Sequence, residues 1–210
     1  MTTILIAGLT PASRAAAEEF RAAGHRVYIS DITHAPALLE EIKSPAGTDL
    51  SVCAEKGEDK LDILVFAPEK TTSDGDAYSS HDPEALYGQM QHNISGFYEV
   101  VEAAKDLLRK GQKRICVLTE RSASVRRNTD AEDFGYHMSL AAVNMMEKIY
   151  FNALRPEGFT FRCFAADGEG GLTPAQYFTM PLCYDPSEPY THSDENRLAF
   201  RDGFFDEIAW

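Results

Sequence analysis

The chain has 210 residues and a mass of 23.3 kDa, enough for one domain whose core needs neither disulfides nor a metal. Hydrophobic residues make up 44% and charged residues 25%, which argues against extended disorder, collagen-like repeats and a disulfide scaffold. Lys plus Arg number 20 against 33 Asp plus Glu, a net charge of -13, so the chain repels phosphate backbones and no nucleic-acid partner is expected.

Ile4 to Ala7 is a short apolar run that stops at Gly8. Ser13 to Ala23 is rich in Ala and Glu, with Phe20 as an apolar anchor and Gly24 as a C-cap, and predicts a helix. Val27 to Ser30 follows as a strand that ends at Asp31, closing a βαβ unit. Leu61 to Ala67 is a continuous apolar strand, and the polar stretch Thr71 to Asp82 is a loop. Ile94 to Arg109 predicts a helix, Lys113 to Thr119 a strand, and Phe134 to Leu154 a long helix bounded by Gly158. Phe159 to Ala165 is the next strand. Gly168 to Asn196 carries four prolines and reads as an irregular flap. Arg197 to Trp210 supplies a last strand, a turn at Asp202-Gly203 and a tail. Near-continuous apolar strands alternating with helices predict an α/β fold: a doubly wound parallel sheet in three αβα layers, one domain over 1–210.

No apolar run approaches the ~20 residues of a membrane-spanning helix, and the N-terminus lacks the pattern of a signal peptide, so no membrane partner is expected. Cys53, Cys116, Cys163 and Cys183 form no CxxC pair and read as reduced thiols, which points to the cytoplasm. The six histidines, His81 and His192 among them, show no HxH or HExxH spacing, so no metal site is expected.

A strand, a glycine and a helix, with an acid at the end of the next strand, sketch a dinucleotide site. The glycine admits the pyrophosphate, the helix N-terminus faces its charge, and the acid takes the ribose hydroxyls. Asp31 lies 23 residues after Gly8, close to the expected spacing of about 20. Order and spacing resemble the short-chain dehydrogenase/reductase family over almost the whole chain, which implies a Rossmann-like domain. Leu61-Asp62-Ile63-Leu64-Val65 resembles the family's fourth strand, and His92-Asn93-Ile94-Ser95-Gly96 its central helix with a functional Asn. Arg114 to Thr119 resembles the strand before its catalytic Ser, Tyr136 to Asn144 its Tyr-bearing helix, and Leu198 to Gly203 its last strand. Against that pattern the stretch between Asp31 and Leu61 is too short for the usual set of elements.

The functional motifs depart from the family. Its TGxxxGxG is Ala7-Gly8-Leu9-Thr10-Pro11-Ala12-Ser13-Arg14 here, so Gly8 alone persists, and Pro11 removes an N–H donor. Its NNAG is Phe66-Ala67-Pro68-Glu69. The resemblance places Gly8, Thr10, Ser13, Arg14, Asp31 and Ala67 around a cofactor, with Asp31 favouring NAD over NADP by repelling a 2′-phosphate; the alternative is no cofactor. In the family's YxxxK the Tyr is the acid/base and the Lys lowers its pKa. Tyr136 is present, but the Lys position is Leu140, and Lys148 is two to three turns further along. An unassisted Tyr titrates near 10. Asn93 persists, Ser122 and Ser124 flank the expected Ser position at Ala123, and Thr119 and Glu120 hold the strand end. Each has a bland reading: a packed Tyr136, an Asn93 that braces a helix, loop hydroxyls, a solvated Asp31, a surface Arg14. Arg121, Arg126 and Arg127 are a local basic cluster, read as a solvated face or an anion site.

The helices 94–109 and 134–154 are apolar over more than one stripe, more than a sheet-covering helix needs. In the resembled family they form an interface between subunits, so a homo-oligomer, or a hetero-oligomer with a similar subunit, is expected. Three functions follow. The first is a non-catalytic or attenuated structural or regulatory subunit, a pseudoenzyme. The second is a divergent NAD(P)-dependent oxidoreductase for a carbonyl or hydroxyl substrate, with Tyr136 as acid/base, Ser122 or Ser124 on the substrate oxygen and Asn93 organising a water relay. The third is a non-redox protein binding a small polar molecule in the same cleft, near Arg121, Tyr136 and Tyr177.

Overall fold

Successive residues of an extended strand face opposite sides, so a strand that is apolar throughout must be covered on both. That condition is met in a computed structural model, which describes residues 1–43, 59–78, 82–168, 170–181 and 197–210. The strands are β1 (Thr3–Ala7), β2 (Arg26–Ser30), β3 (Ile63–Phe66), β4 (Arg114–Thr119), β5 (Thr160–Ala165) and β6 (Phe200–Arg201). They form one 6-stranded sheet, ordered β2-β1-β3-β4-β5-β6, and every neighbouring pair is parallel. The helices are α1 (Pro11–Ala22), α2 (Ala35–Lys43), α3 (Pro83–Arg109), α4 (Phe134–Leu154) and α5 (Pro174–Thr179).

Leu5, Ala7, Leu64, Phe66, Ile115, Val117, Phe161 and Cys163 face α2, α3 and α4 in one buried core. The residues between them, Ile4, Ile6, Ile63, Val65, Cys116 and Leu118, face α1 and α5 in a second. The result is the expected Rossmann-like three-layer α/β architecture. Among the described residues no helix is long and apolar enough to cross a membrane.

Three expectations change. The predicted helix at 94–109 begins at Pro83, because Asp82 Oδ1 accepts the N–H groups of Glu84 (2.9 Å) and Ala85 (3.3 Å) and Pro83 fits the first turn. The short stretch after Asp31 holds a helix, α2, whose Ala35, Leu39 and Ile42 pack into the core. The predicted flap contains α5, started by a capping box between Thr173 and Gln176. The rest of that flap at 182–196 lies outside the described residues, as do Cys53, His81, Cys183 and His192.

Two arginines stand inside the sheet. Arg114 on β4 and Arg162 on β5 are buried, and their guanidinium groups donate to main-chain oxygens at the end of α5: Phe178 and Met180 for Arg114, Tyr177 and Pro181 for Arg162. They satisfy carbonyls that a helix end leaves open. Glu147, on the inner face of α4, is fully buried, and its carboxyl meets the Cys163 thiol there. Burial holds that carboxyl up to about 8, and the neighbouring Cys163 thiol is raised by its own burial and by Glu147.

Candidate functional site

Sheet order reverses between β1 and β3, and ligands of open α/β sheets sit at the carboxyl ends of the strands there. One wall of this crevice is the turn from β1 into α1. Gly8 has φ +119°, and a Cβ on it would lie 2.0 Å from Ala67 O. The glycine is therefore required by the approach of β1 to the end of β3, with or without a ligand. Gly8 N–H donates to Ser30 O at 2.8 Å, and Ala67 N–H to Ala7 O at 2.8 Å. Thr10 caps α1 through Ser13 N–H at 3.1 Å, and the buried Ser13 hydroxyl donates to Gly8 O at 2.7 Å. Thr10 and Ser13 thus brace the turn. Arg14 is exposed on the first turn of α1.

The opposite wall carries Glu69. Its Oε1 accepts Leu9 N–H at 2.6 Å, and its Oε2 lies 2.9 Å from His92 Nε2. Burial pushes this carboxyl up, but the hydrogen bonds from His92 and Leu9 more than offset that, and it titrates below the ordinary Glu value. The backbone of Glu69 is fixed as well. Its N–H donates to Asn93 Oδ1 at 2.9 Å, and its carbonyl accepts Asn93 Nδ2 at 3.1 Å and Gln89 Nε2 at 2.6 Å. Asn93 Nδ2 also reaches Ser139 Oγ at 2.8 Å and tethers α3 to α4. Asn93 is 0% exposed. All its contacts are bracing ones.

Asp31 ends β2 as expected. Its carboxylate accepts the Thr33 hydroxyl at 2.7 Å and His34 N–H at 2.9 Å, and it lies 2.8 Å from His34 Nδ1. The Thr33 bond leads in holding Asp31 down to about 2; burial opposes it, and the hydrogen bonds and charge of His34 add to the lowering.

A second cluster sits at the ends of β4 and β5. Tyr136, on the first turn of α4, donates its hydroxyl to Glu120 Oε1 at 2.9 Å, and Ser122 Oγ donates to Glu120 Oε2 at 3.2 Å. Burial first, then the Glu120 carboxylate, pushes the Tyr136 phenol well above its ordinary value. Leu140 points into the core at 1% exposure. Lys148 lies 4.3 Å from the Phe151 ring centre and donates to Arg197 O at 3.5 Å. Lys70 pairs with Asp133, which starts α4 in the left-handed region at φ 54°. The Asp133 bond leads in raising the Lys70 pKa, with smaller contributions from Glu132 and Glu120.

The two serines part company. Ser122 faces the Tyr136 cluster through Glu120. Ser124 is buried, donates to Ala209 O and accepts Arg127 N–H at 3.2 Å, so it ties the C-terminal tail to the β4 loop. Arg121 donates to Asp202 Oδ2 at 2.8 Å and lines, with Arg127, a groove of about 350 Å3 that also presents Asp202, Asp206 and Glu207. The acids make that groove mixed rather than basic. Arg126 is exposed. Tyr177 is 1% exposed and stacks near Phe164 in the second core, so it is not a wall of the cleft. Sequence reasoning did not single out Glu69, Lys70 or Asp133. Glu69 has no local signal, because its partner Leu9 is 60 residues away.

No family model matches the chain. A stretch of 68 residues is 40% identical to C-signal of Myxococcus xanthus, covering 32% of this chain and 41% of that protein's length. Solved structures match over more of the fold. Carbonyl reductase Sniffer of D. melanogaster superposes with a TM-score of 0.63 at 15% identity, over 100% of both chains. A protein of Burkholderia multivorans, assigned to the short-chain dehydrogenase/reductases and holding NADP, gives 0.62 at 18% identity over 100% of this chain and 99% of that one. The chain has the fold of the short-chain dehydrogenase/reductases.

Proposed function

We propose that the chain is a non-catalytic or strongly attenuated protein of this fold, acting as a structural or regulatory subunit. The observation that carries this reading is the Tyr136 hydroxyl bonded to a carboxylate, Glu120, with the buried Leu140 four residues on in place of an ammonium. A Tyr acid/base needs a phenolate within reach of neutral pH. An unperturbed Tyr holds about one phenolate in a thousand at pH 7, and both influences on Tyr136 lower that fraction. Tyr136 is a hydrogen-bond donor in this setting, not a base.

Pairing runs through α3 and α4. Tyr87 and Tyr98 on α3, and Met138, Met145 and Ile149 on α4, are between 48% and 70% exposed despite their size. On α4 the three follow helical spacing and form one stripe. The partner is a second copy or an active relative, and the reduced, buried Cys116 and Cys163 suit the cytoplasm. If a dinucleotide enters, the ionised Asp31 favours NAD over NADP.

The purified chain is expected to oxidise neither NADH nor NADPH with a panel of aldehydes and ketones above the rate in buffer. Turnover that Tyr136→Phe abolishes overturns the reading in favour of a divergent NAD(P)-dependent oxidoreductase. Sedimentation is expected to show an oligomer that Ile149→Glu dissociates; a monomeric wild-type chain leaves only the hetero-oligomer.

A further inference from the structure

We infer that Glu69 is a built-in anion that occupies the phosphate position of the crevice and sets which ligands can enter it. A backbone N–H at the turn from a first strand into a helix is where an α/β sheet receives phosphate. In this chain the Leu9 N–H is already taken by Glu69 Oε1 at 2.6 Å. Pro11 has no N–H, and Ser13 N–H is spent on the Thr10 cap. The carboxylate is not a stray surface group. Its side chain is 16% exposed, His92 holds its other oxygen, and Gln89 and Asn93 fix its backbone.

A pyrophosphate seated on this turn must displace Glu69 or sit beside it. Displacement breaks a charge-assisted hydrogen bond and strands His92. Sitting beside it brings like charges together in a partly buried crevice, which Asp31 already makes more negative for Glu69. Either way the penalty falls on phosphate-bearing ligands and spares an uncharged nucleoside. The crevice therefore selects neutral ligands over dinucleotides. This concerns the β1–β3 crevice and holds whether or not Tyr136 supports turnover.

The test is calorimetric titration of wild type and Glu69→Gln with NADH, and with adenosine as the phosphate-free control. The variant is expected to bind NADH at least about tenfold more tightly, with adenosine affinity changed less than about twofold. No gain for NADH, including no binding by either protein, overturns the inference. An equal gain for adenosine also overturns it, since space rather than charge is then the barrier. If Glu69→Gln does not fold, Glu69→Ala is judged by the same criterion, because it also removes the carboxylate and frees Leu9 N–H.

Discussion

Replacing Glu147 by Gln tests the electrostatics of the core directly. The carboxyl titrates near 4.5 in an unfolded chain and is held up to about 8 in the folded one. Below about pH 4.5 both states carry the proton, and above about 8 both have lost it. Between those limits only the folded state keeps it, so unfolding releases a proton and stability falls as pH rises. Each tenfold in proton affinity is about 1.4 kcal/mol, so the full loss between the two values is on the order of 5 kcal/mol. Gln has nearly the same shape, is neutral at every pH, and is no better partnered than a protonated Glu in the same place. Glu147→Gln is therefore expected to match wild type within about 1 kcal/mol near pH 5 and to exceed it by several kcal/mol at pH 8. Urea unfolding at half-unit steps from pH 5 to 8 measures both curves. Parallel curves would falsify the reasoning, because they mean that Glu147 ionises alike in both states.

Three further outcomes follow from the geometry. Gly8→Ala is expected to cost about 2 kcal/mol or more, since a Cβ meets Ala67 O at 2.0 Å and φ is +119°; a melting temperature equal to wild type contradicts this. Leu140→Lys puts an unpaired ammonium where the side chain is 1% exposed, so it is expected to destabilise by about 3 kcal/mol or more without creating reductase activity; a stable, active variant would show that the position opens to the cleft. Asp31, held down to about 2, contributes stability above its ordinary 3.8 that is lost as pH falls towards 2. Its side chain is 37% exposed, so solvent screening keeps that contribution under about 1 kcal/mol, and Asp31→Asn is expected to remove it. Acid titration of both proteins by circular dichroism decides the point.

The sheet is readable because Ile4–Ala7 and Ile63–Phe66 are apolar throughout and β4 and β5 are mostly so, a pattern that needs no partner to be seen. Helix α4 matches its predicted bounds, Phe134 to Leu154, for the same reason: its stripe is long. Helix α2 is not announced by the sequence although Ala35, Leu39 and Ile42 carry helical spacing, because nine residues with Pro36 among them give a weak period. The first turns of α3 were hidden by Gln89 and Asn93, polar residues that are buried only because residues 69–71 offer them backbone partners. The site divides the same way. Gly8, Asp31 and Tyr136 stand at element ends, where position along the chain is informative. Glu69 on Leu9 and Glu120 on Tyr136 are meetings of distant segments, and no local pattern announces them.

The strand order also dictates a sequence of events during synthesis. Strand β1 can join β2 as soon as Arg26–Ser30 has emerged, through the local α1 crossover. Its other edge waits for Ile63–Phe66, and that strand in turn waits for Arg114–Thr119. Until then Ile4 to Ala7 present unpaired backbone groups beside wholly apolar side chains, the surface most prone to pairing with another nascent chain. The seam that shapes the crevice thus stays open until residue 66 has emerged, and slow translation between residues 30 and 63 prolongs the interval in which aggregation competes with folding.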